Sequence, residues 1–285
     1  MTDDWKRIAE RLESFLARVE RLVPAAPGAP DWKAGSAYRW RKGARGGYLE
    51  AVRHPHAIRF ADLKDVDEQK RRLRENTAQF VAGRPANNVL LTGARGTGKS
   101  SLVKAALNEF AAKGLRLIEV DKRDLVDLPD IVDLVGERKE RFVIFCDDLS
   151  FEASDAGYKS LKVALDGSIA GSAENVLIYA TSNRRHLMPE FMDENLEAKH
   201  VDGEIHPGET TEEKISLSER FGLWLSFYPF DQDQYLDIAD HWVATLGGKA
   251  TDESRKAALL WALERGFRSG RVAWQFARDW VGKKK

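Results

Sequence analysis

The stretch LLTGARGTGKSSLVKAAL, Leu90 to Leu107, places Gly93 five residues before Gly98-Lys99-Ser100, the spacing of a phosphate-binding loop. Glycines let the backbone curl so that several N–H groups point inward as an anion nest. The helix that follows, from Lys99 to about Lys113, adds the positive end of its dipole. The expected phosphate cradle is Gly93, Ala94, Arg95, Gly96, Thr97, Gly98, Lys99, Ser100 and Ser101. In it, Lys99 reaches the outer phosphates and the Ser100 hydroxyl ligates Mg2+. A glycine turn that binds nothing is the plainer alternative. The context favours the loop, because NNVLLTG reads as a buried strand and SLVKAALNEF as an amphipathic helix.

Such a loop needs a carboxylate for the magnesium hydration shell, and RFVIFCDD supplies two acids at the end of an apolar run. Asp147 is the expected metal partner of Ser100. Asp148 falls where a base polarising the attacking water is needed. A second apolar run, NVLIYATSN, ends in Ser182 and Asn183. An amide there could orient that water without competing for the metal; a simple turn residue is the alternative.

These residues require a scaffold of strands and helices, and the 285-residue chain, 43% hydrophobic, is long enough to bury one. Apolar runs NVLLTG, LRLIEVD, RFVIFCDD, NVLIYATSN and LWLSFYP alternate with helical patterns at 67–82, 99–113, 129–140, 155–167 and 216–222. Continuous apolar strands separated by helices predict a doubly wound parallel sheet covered on both faces. The acidic segment 184–215 reads as an insert. His186, His200 and His206 lie in or beside it at no zinc-binding spacing and read as surface residues. Patterns at 231–246, 251–265 and 270–282 predict a small all-helical C-terminal lid. The expected division is therefore 1–23, an amphipathic helix; 24–47, a Pro-rich linker and basic–aromatic arm; 48–229, the P-loop domain; and 230–285, the lid.

At the N-terminus, Trp5, Ile8, Leu12, Phe15, Val19 and Leu22 recur at three- and four-residue steps, an a/d seam. So short a helix is expected to dock on its own domain or on a neighbour. The arm mixes Trp32, Tyr38 and Trp40 with Lys33, Arg39, Arg41, Lys42 and Arg45, a composition suited to phosphates and stacked bases. No nucleic-acid fold signature accompanies it, which favours an irregular arm whose aromatics pack on the main domain. Lysine plus arginine, 45, equal aspartate plus glutamate, 45, so global charge points to neither nucleic acid nor membrane. One cysteine, Cys146, excludes an intrachain disulfide and suits a reducing compartment. The first residues are too charged for a secretory signal and no apolar stretch reaches membrane length. A cytoplasmic protein without membrane insertion is expected.

Taken together, GARGTGKS, VIFCDD and ATSN resemble the Walker A, Walker B and sensor-1 segments of AAA+ ATPases. SERFG, Ser218 to Gly222, resembles the segment carrying the arginine finger, which would make Arg220 the finger. RSGRVAWQF resembles the sensor-2 helix of the lid, with Arg271 as its arginine, and IRFADLKDVDEQK the lead-in that lies against adenine. The resemblance spans residues 48–282 and narrows, through DDLSFE and YATSNRRHL, to a bacterial AAA+ family made up mostly of predicted ATPases of unassigned role. It implies Mg2+ and ATP bound between the domains, a homo-oligomer completed by the neighbour's arginine, and a protein or nucleic-acid partner. Two departures matter. Many AAA+ proteins end Walker B in Asp-Glu, whereas this chain has Asp147-Asp148, with Glu152 four residues on as an alternative base. Slow hydrolysis and a non-hydrolysing, ATP-gated binding module therefore both stand. VDKRDLVDLPD also lacks the aromatic–apolar–glycine loop of peptide-threading members, while Lys122 and Arg123 leave an acidic partner open.

Overall fold

The computed structural model of the chain describes residues 2–22, 30–32, 35–43, 46–151, 155–166, 173–184, 187, 199–201, 204–206 and 217–283. Its centre is a seven-stranded sheet. The five strands expected from the apolar runs are β3 (Val89–Gly93), β4 (Leu115–Glu119), β5 (Arg141–Cys146), β6 (Val176–Ser182) and β9 (Leu223–Phe227). They are parallel and lie in the order β4-β5-β6-β3-β9, so β3 sits inside the sheet and β9 at its edge.

Period-two alternation divides the strand side chains between two cores. Val89, Leu91, Val143, Phe145 and Tyr179 face a layer that contains Leu73 and Phe80 of α2 (Asp67–Val81) and Leu102 and Val103 of α3 (Lys99–Phe110). Leu90, Ile144, Cys146, Ile178 and Ala180 face Ile131 and Val135 of α4 (Leu128–Gly136) and Leu161 of α5 (Ala156–Asp166). Both faces are buried, which is why these strands are apolar without interruption.

The region before β3 differs from expectation. Residues 37–51 are not an irregular arm but a hairpin, β1 (Ala37–Gly43) antiparallel to β2 (Gly46–Ala51), and β1 runs parallel to β4. The hairpin thus extends the main sheet. Tyr38 and Trp40 are buried with Ile118 and Phe142, and Trp32 packs its ring 5.0 Å from Tyr38 and 5.1 Å from Phe142. Trp40 Nε1 donates to Asp127 at 2.9 Å. Alternation turns Arg39 and Arg41 the other way, where Arg39 meets Glu119 at 2.8 Å and Arg41 meets Glu50 at 3.0 Å. Lys42 lies 3.1 Å from Asp127. The aromatics are therefore packed, and these cations have acidic neighbours.

C-terminal to the sheet come α6 (Gln232–Thr245), α7 (Asp252–Glu264) and α8 (Gly270–Lys283). The first two begin on reciprocal caps, Asp231 with Gln234 and Thr251 with Ser254. Tyr235, Val243, Ala258, Ala273 and Phe276 join the first core, so the lid shares its packing with the sheet's α2/α3 side. The N-terminal helix is α1 (Thr2–Leu22). Within the acidic insert, β7 (Lys199–Val201) and β8 (Glu204–His206) form a two-stranded antiparallel pair. The helical pattern at 216–222 is one turn at 217–219 among the described residues. Arg185 and His186 lie outside those residues.

Replacing Trp40 with Ala removes a buried ring and its hydrogen bond, and should cost about 3–5 kcal/mol. Arg41→Ala, on the solvated face, should leave the urea midpoint nearly unchanged; the comparison of the two midpoints checks the assignment of faces.

Candidate functional site

The loop after β3 is shaped by two close approaches that exclude a side chain. Gly93 has φ of +125°, and a Cβ there would stand 1.9 Å from the Phe227 carbonyl oxygen at the end of β9. Gly96 has φ of +74°, and its Cβ would stand 2.7 Å from Ser269 Oγ on the lid. Thr97 Oγ1 donates to the Ala94 carbonyl at 2.8 Å, closing the loop on itself. Gly270 N–H donates to the Gly96 carbonyl at 2.9 Å, which ties the start of α8 to the loop.

Lys99, 6% exposed, lies under this loop. Its Nζ donates to the Gly93 carbonyl at 2.8 Å, the Ala94 carbonyl at 2.7 Å and Asn183 Oδ1 at 3.0 Å. Burial pulls its pKa down to about 8, against the opposing pull of Asp148 and Asp147. Asn183 uses its other end to donate from Nδ2 to Asp148 Oδ1. Asp147 Oδ1 accepts from Ser100 Oγ at 2.5 Å and from Thr181 Oγ1 at 2.5 Å. Thr181 Oγ1 also accepts the Asp148 backbone N–H at 2.8 Å.

Thr181 is a site residue that the reading of the sequence left without a role. Its signal was the register: Cys146 pairs with Ala180, so the next residues along, Asp147 and Thr181, end side by side. Asp148 has φ of +53°, a left-handed conformation that aspartate tolerates better than most residues. That kink turns its carboxylate towards Asn183 and away from the strand line.

Above this network is a cleft of about 1090 Å³, lined by Arg95, Ser100, Ser101, Asp147 and Asp148 and by the apolar Ile58, Leu63, Phe230 and Trp242. Asn108 Nδ2 on α3 pins the lead-in by donating to the His56 and Ile58 carbonyls, both at 2.7 Å. Trp242 meets Trp274 edge to face at 4.6 Å, and both line the cleft; neither tryptophan was anticipated as a site residue. Arg271, in the first turn of α8, lines the cleft. Apolar side chains suit a planar base, and a glycine loop with a lysine suits phosphates. Ser100 and Asp147 present adjacent hard oxygens, a donor set that fits Mg2+ completed by phosphate and water. Among the described residues no group of three or more His, Cys, Asp or Glu is placed to hold a metal.

Of the sequence-derived site residues, Arg220 does not line its own chain's cleft. Glu152 lies outside the described residues. Arg220 precedes β9, whereas the loop follows β3, and the two strands are parallel in register from Val89↔Leu223 to Gly93↔Phe227. Five residues of strand separate the two ends by about 16 Å, beyond the reach of an arginine side chain. Arg220 Nε instead donates to Asp166 Oδ1 on α5 at 2.6 Å.

The family model described as "Protein of unknown function (DUF815)" matches residues 33–284 of this chain. The chain belongs to the DUF815 family. The AAA domain of FIGL-1 in complex with ADP superposes on this DUF815 protein with a TM-score of 0.52 at 19% identity, over 76% of this chain and 70% of that one. A variant of RuvB from Thermotoga maritima superposes with a TM-score of 0.51 at 15% identity, over 77% and 63%. The fold is that of the AAA+ ATPases. In sequence, proteasome-activating nucleotidase 2 of Haloferax volcanii is 32% identical over 126 residues, 39% of this chain and 30% of that protein. The same-named protein of Halobacterium salinarum is 27% identical over 215 residues, 58% of this chain and 49% of that protein. The DUF815 chain thus spans half or less of the length of these curated relatives.

The depressed Lys99 pKa has a definite sign. Phosphates favour the charged ammonium, so nucleotide binding should take up a proton above pH 8, and ATP affinity should fall as pH rises from 8 to 10, by at most about tenfold per pH unit. Without nucleotide the folded lysine loses its proton at about 8 and the unfolded one near 10.5, so stability should rise with pH across that window. Calorimetry in buffers of different ionisation enthalpy counts the proton; Lys99→Ala should abolish the uptake.

Proposed function

We propose that this chain binds Mg-ATP in the cleft between sheet and lid and hydrolyses it, using the cycle to move a macromolecular partner. The carrying observation is the continuous path from Lys99 through Asn183 to Asp148, beside the Ser100–Asp147 pair. The apolar side chains Ile58 and Trp242 take the base, and the loop Gly93 to Ser101 takes the phosphates. Lys99 exchanges its carbonyl partners for phosphate oxygens, and Arg271 contributes a second cation from the lid. Ser100 and Asp147 would hold Mg2+, whose contribution is to spread the charge of the phosphates.

Asn183 holds the attacking water, and Asp148 accepts its proton. The aspartate is one methylene shorter than a glutamate, and its left-handed backbone turns the carboxylate towards Asn183. The same short reach favours a second reading, in which ATP only stabilises one conformation. Single-turnover hydrolysis by the assembled protein separates the two. Buried Cys146, the chain's one cysteine, suits a reducing cytoplasm. Among the described residues no helix is long and apolar enough to cross a membrane.

Arg220 acts on the neighbouring subunit, because it stands at the wrong end of the sheet for its own phosphates. A guanidinium supplied in trans is typically worth on the order of a thousandfold or more in rate. Arg220→Ala and Lys99→Ala chains should each be inactive alone, and mixing them should restore part of the turnover. The Arg220→Ala chain keeps an intact cleft and borrows the arginine of its Lys99→Ala neighbour. Asp148→Asn should keep ATP affinity and lose most turnover, with Glu152→Gln losing less. Turnover independent of protein concentration, with no rescue on mixing, would place Arg220 outside the reaction.

A further inference from the structure

The N-terminal helix α1 precedes the residues matched by the family and leaves a broad apolar face in solvent. Trp5, Ile8, Leu12, Phe15 and Leu16 are 71, 56, 57, 61 and 50% exposed. With Trp5 and Leu12 at a, and Ile8 and Phe15 at d, position e is Ala9 and Leu16, so the apolar stripe is three positions wide. The charges beside the stripe are ordered. On one flank, position g carries Arg11 and Arg18; on the other, beyond e, position b carries Lys6 and Glu13.

We infer that α1 is a self-association helix whose occupant is α1 of another copy of this chain, parallel and in register. In that arrangement a g residue faces the e residue five places on in the next copy. Arg11 therefore faces Leu16 of the next copy, and Glu13 stands one turn before that leucine on the same flank. Arginine is long enough to cross a leucine and meet it. By sequence position, g and the b two places on are opposite in sign throughout: 4 and 6 are Asp and Lys, 11 and 13 Arg and Glu, 18 and 20 Arg and Glu. The antiparallel alternative that sets Leu12 on Phe15 brings Arg11 against Arg18 at position g. The charge order at g and b thus favours parallel pairing with a second copy of the same helix.

This inference is independent of the nucleotide reading and is tested in the full-length chain without nucleotide. The natural Cys146 is fully buried, so a new thiol on α1 reports alone. Leu12→Cys chains should form a disulfide with themselves under mild oxidation, and should do so equally in a Lys99→Ala background. Arg11→Glu should cut cross-linking at low salt by about threefold to tenfold, and the double exchange Arg11→Glu with Glu13→Arg should restore it. Cross-linking confined to mixtures of Leu12→Cys and Phe15→Cys chains would show antiparallel pairing and overturn the inference. Absence of any cross-link, or an Arg11→Glu effect that the double exchange fails to repair, would overturn it as well.

Discussion

An ammonium group withdrawn from water needs each of its N–H bonds accepted, and Lys99 meets that need with two loop carbonyls and the Asn183 amide oxygen. The rest of the cleft is arranged around this demand. For the Gly93 carbonyl to turn under the loop, the backbone takes a φ of +125° against the end of β9, where no side chain fits. With its oxygen committed to Lys99, Asn183 has only its NH2 to offer Asp148, so the amide and the acid are oriented together. Thr181 completes the arrangement from the strand side, because one hydroxyl both donates to Asp147 and accepts from the Asp148 backbone. Each polar group is oriented by the previous one, which is the condition for a preorganised site.

The same network is tied to the lid. Gly96 accepts from Gly270 at the first residue of α8, and the lid helices share a core with the sheet through Tyr235, Val243 and Phe276. A phosphate that draws Lys99 from the loop carbonyls changes the partners of Gly93 and Ala94, within three residues of the lid contact. Loop and lid therefore share a backbone segment, and a rearrangement of one must be accommodated by the other. This is a physical route for coupling nucleotide state to domain angle, and it requires no chain of distant contacts.

Where local chemistry dictated structure, it was legible in the sequence. The glycine–lysine loop, the apolar strands and the capped lid helices each carry their own signal in spacing or periodicity. The β1–β2 hairpin was not legible, because its strands read AYRWRKG and GGYLEA, with arginines, lysine and glycines where a strand signal wants branched residues. Only partners far along the chain make it a strand: Ile118 and Phe142 cover its aromatics, and Glu119 meets Arg39. Thr181 was hidden for a related reason, since its role comes from register with β5 and not from its own neighbours. Trp242 and Trp274 stand 32 residues apart and meet only through the crossing of α6 and α8.

Topology also bears on the proposal that Arg220 acts on a neighbouring copy. With β9 parallel to β3 at the sheet edge, one end of each chain presents the loop and the other presents the Arg220 turn. A surface of that kind is not self-complementary. A two-fold axis would set like ends together, whereas a cyclic, head-to-tail arrangement sets the arginine of one chain against the loop of the next. Parallel pairing of α1 is the mode compatible with such a cycle, because all copies then point the same way along one axis. An antiparallel pair would instead point two copies in opposite directions. Joining the helices would raise the local concentration of arginine at each loop without adding a contact at the loop itself.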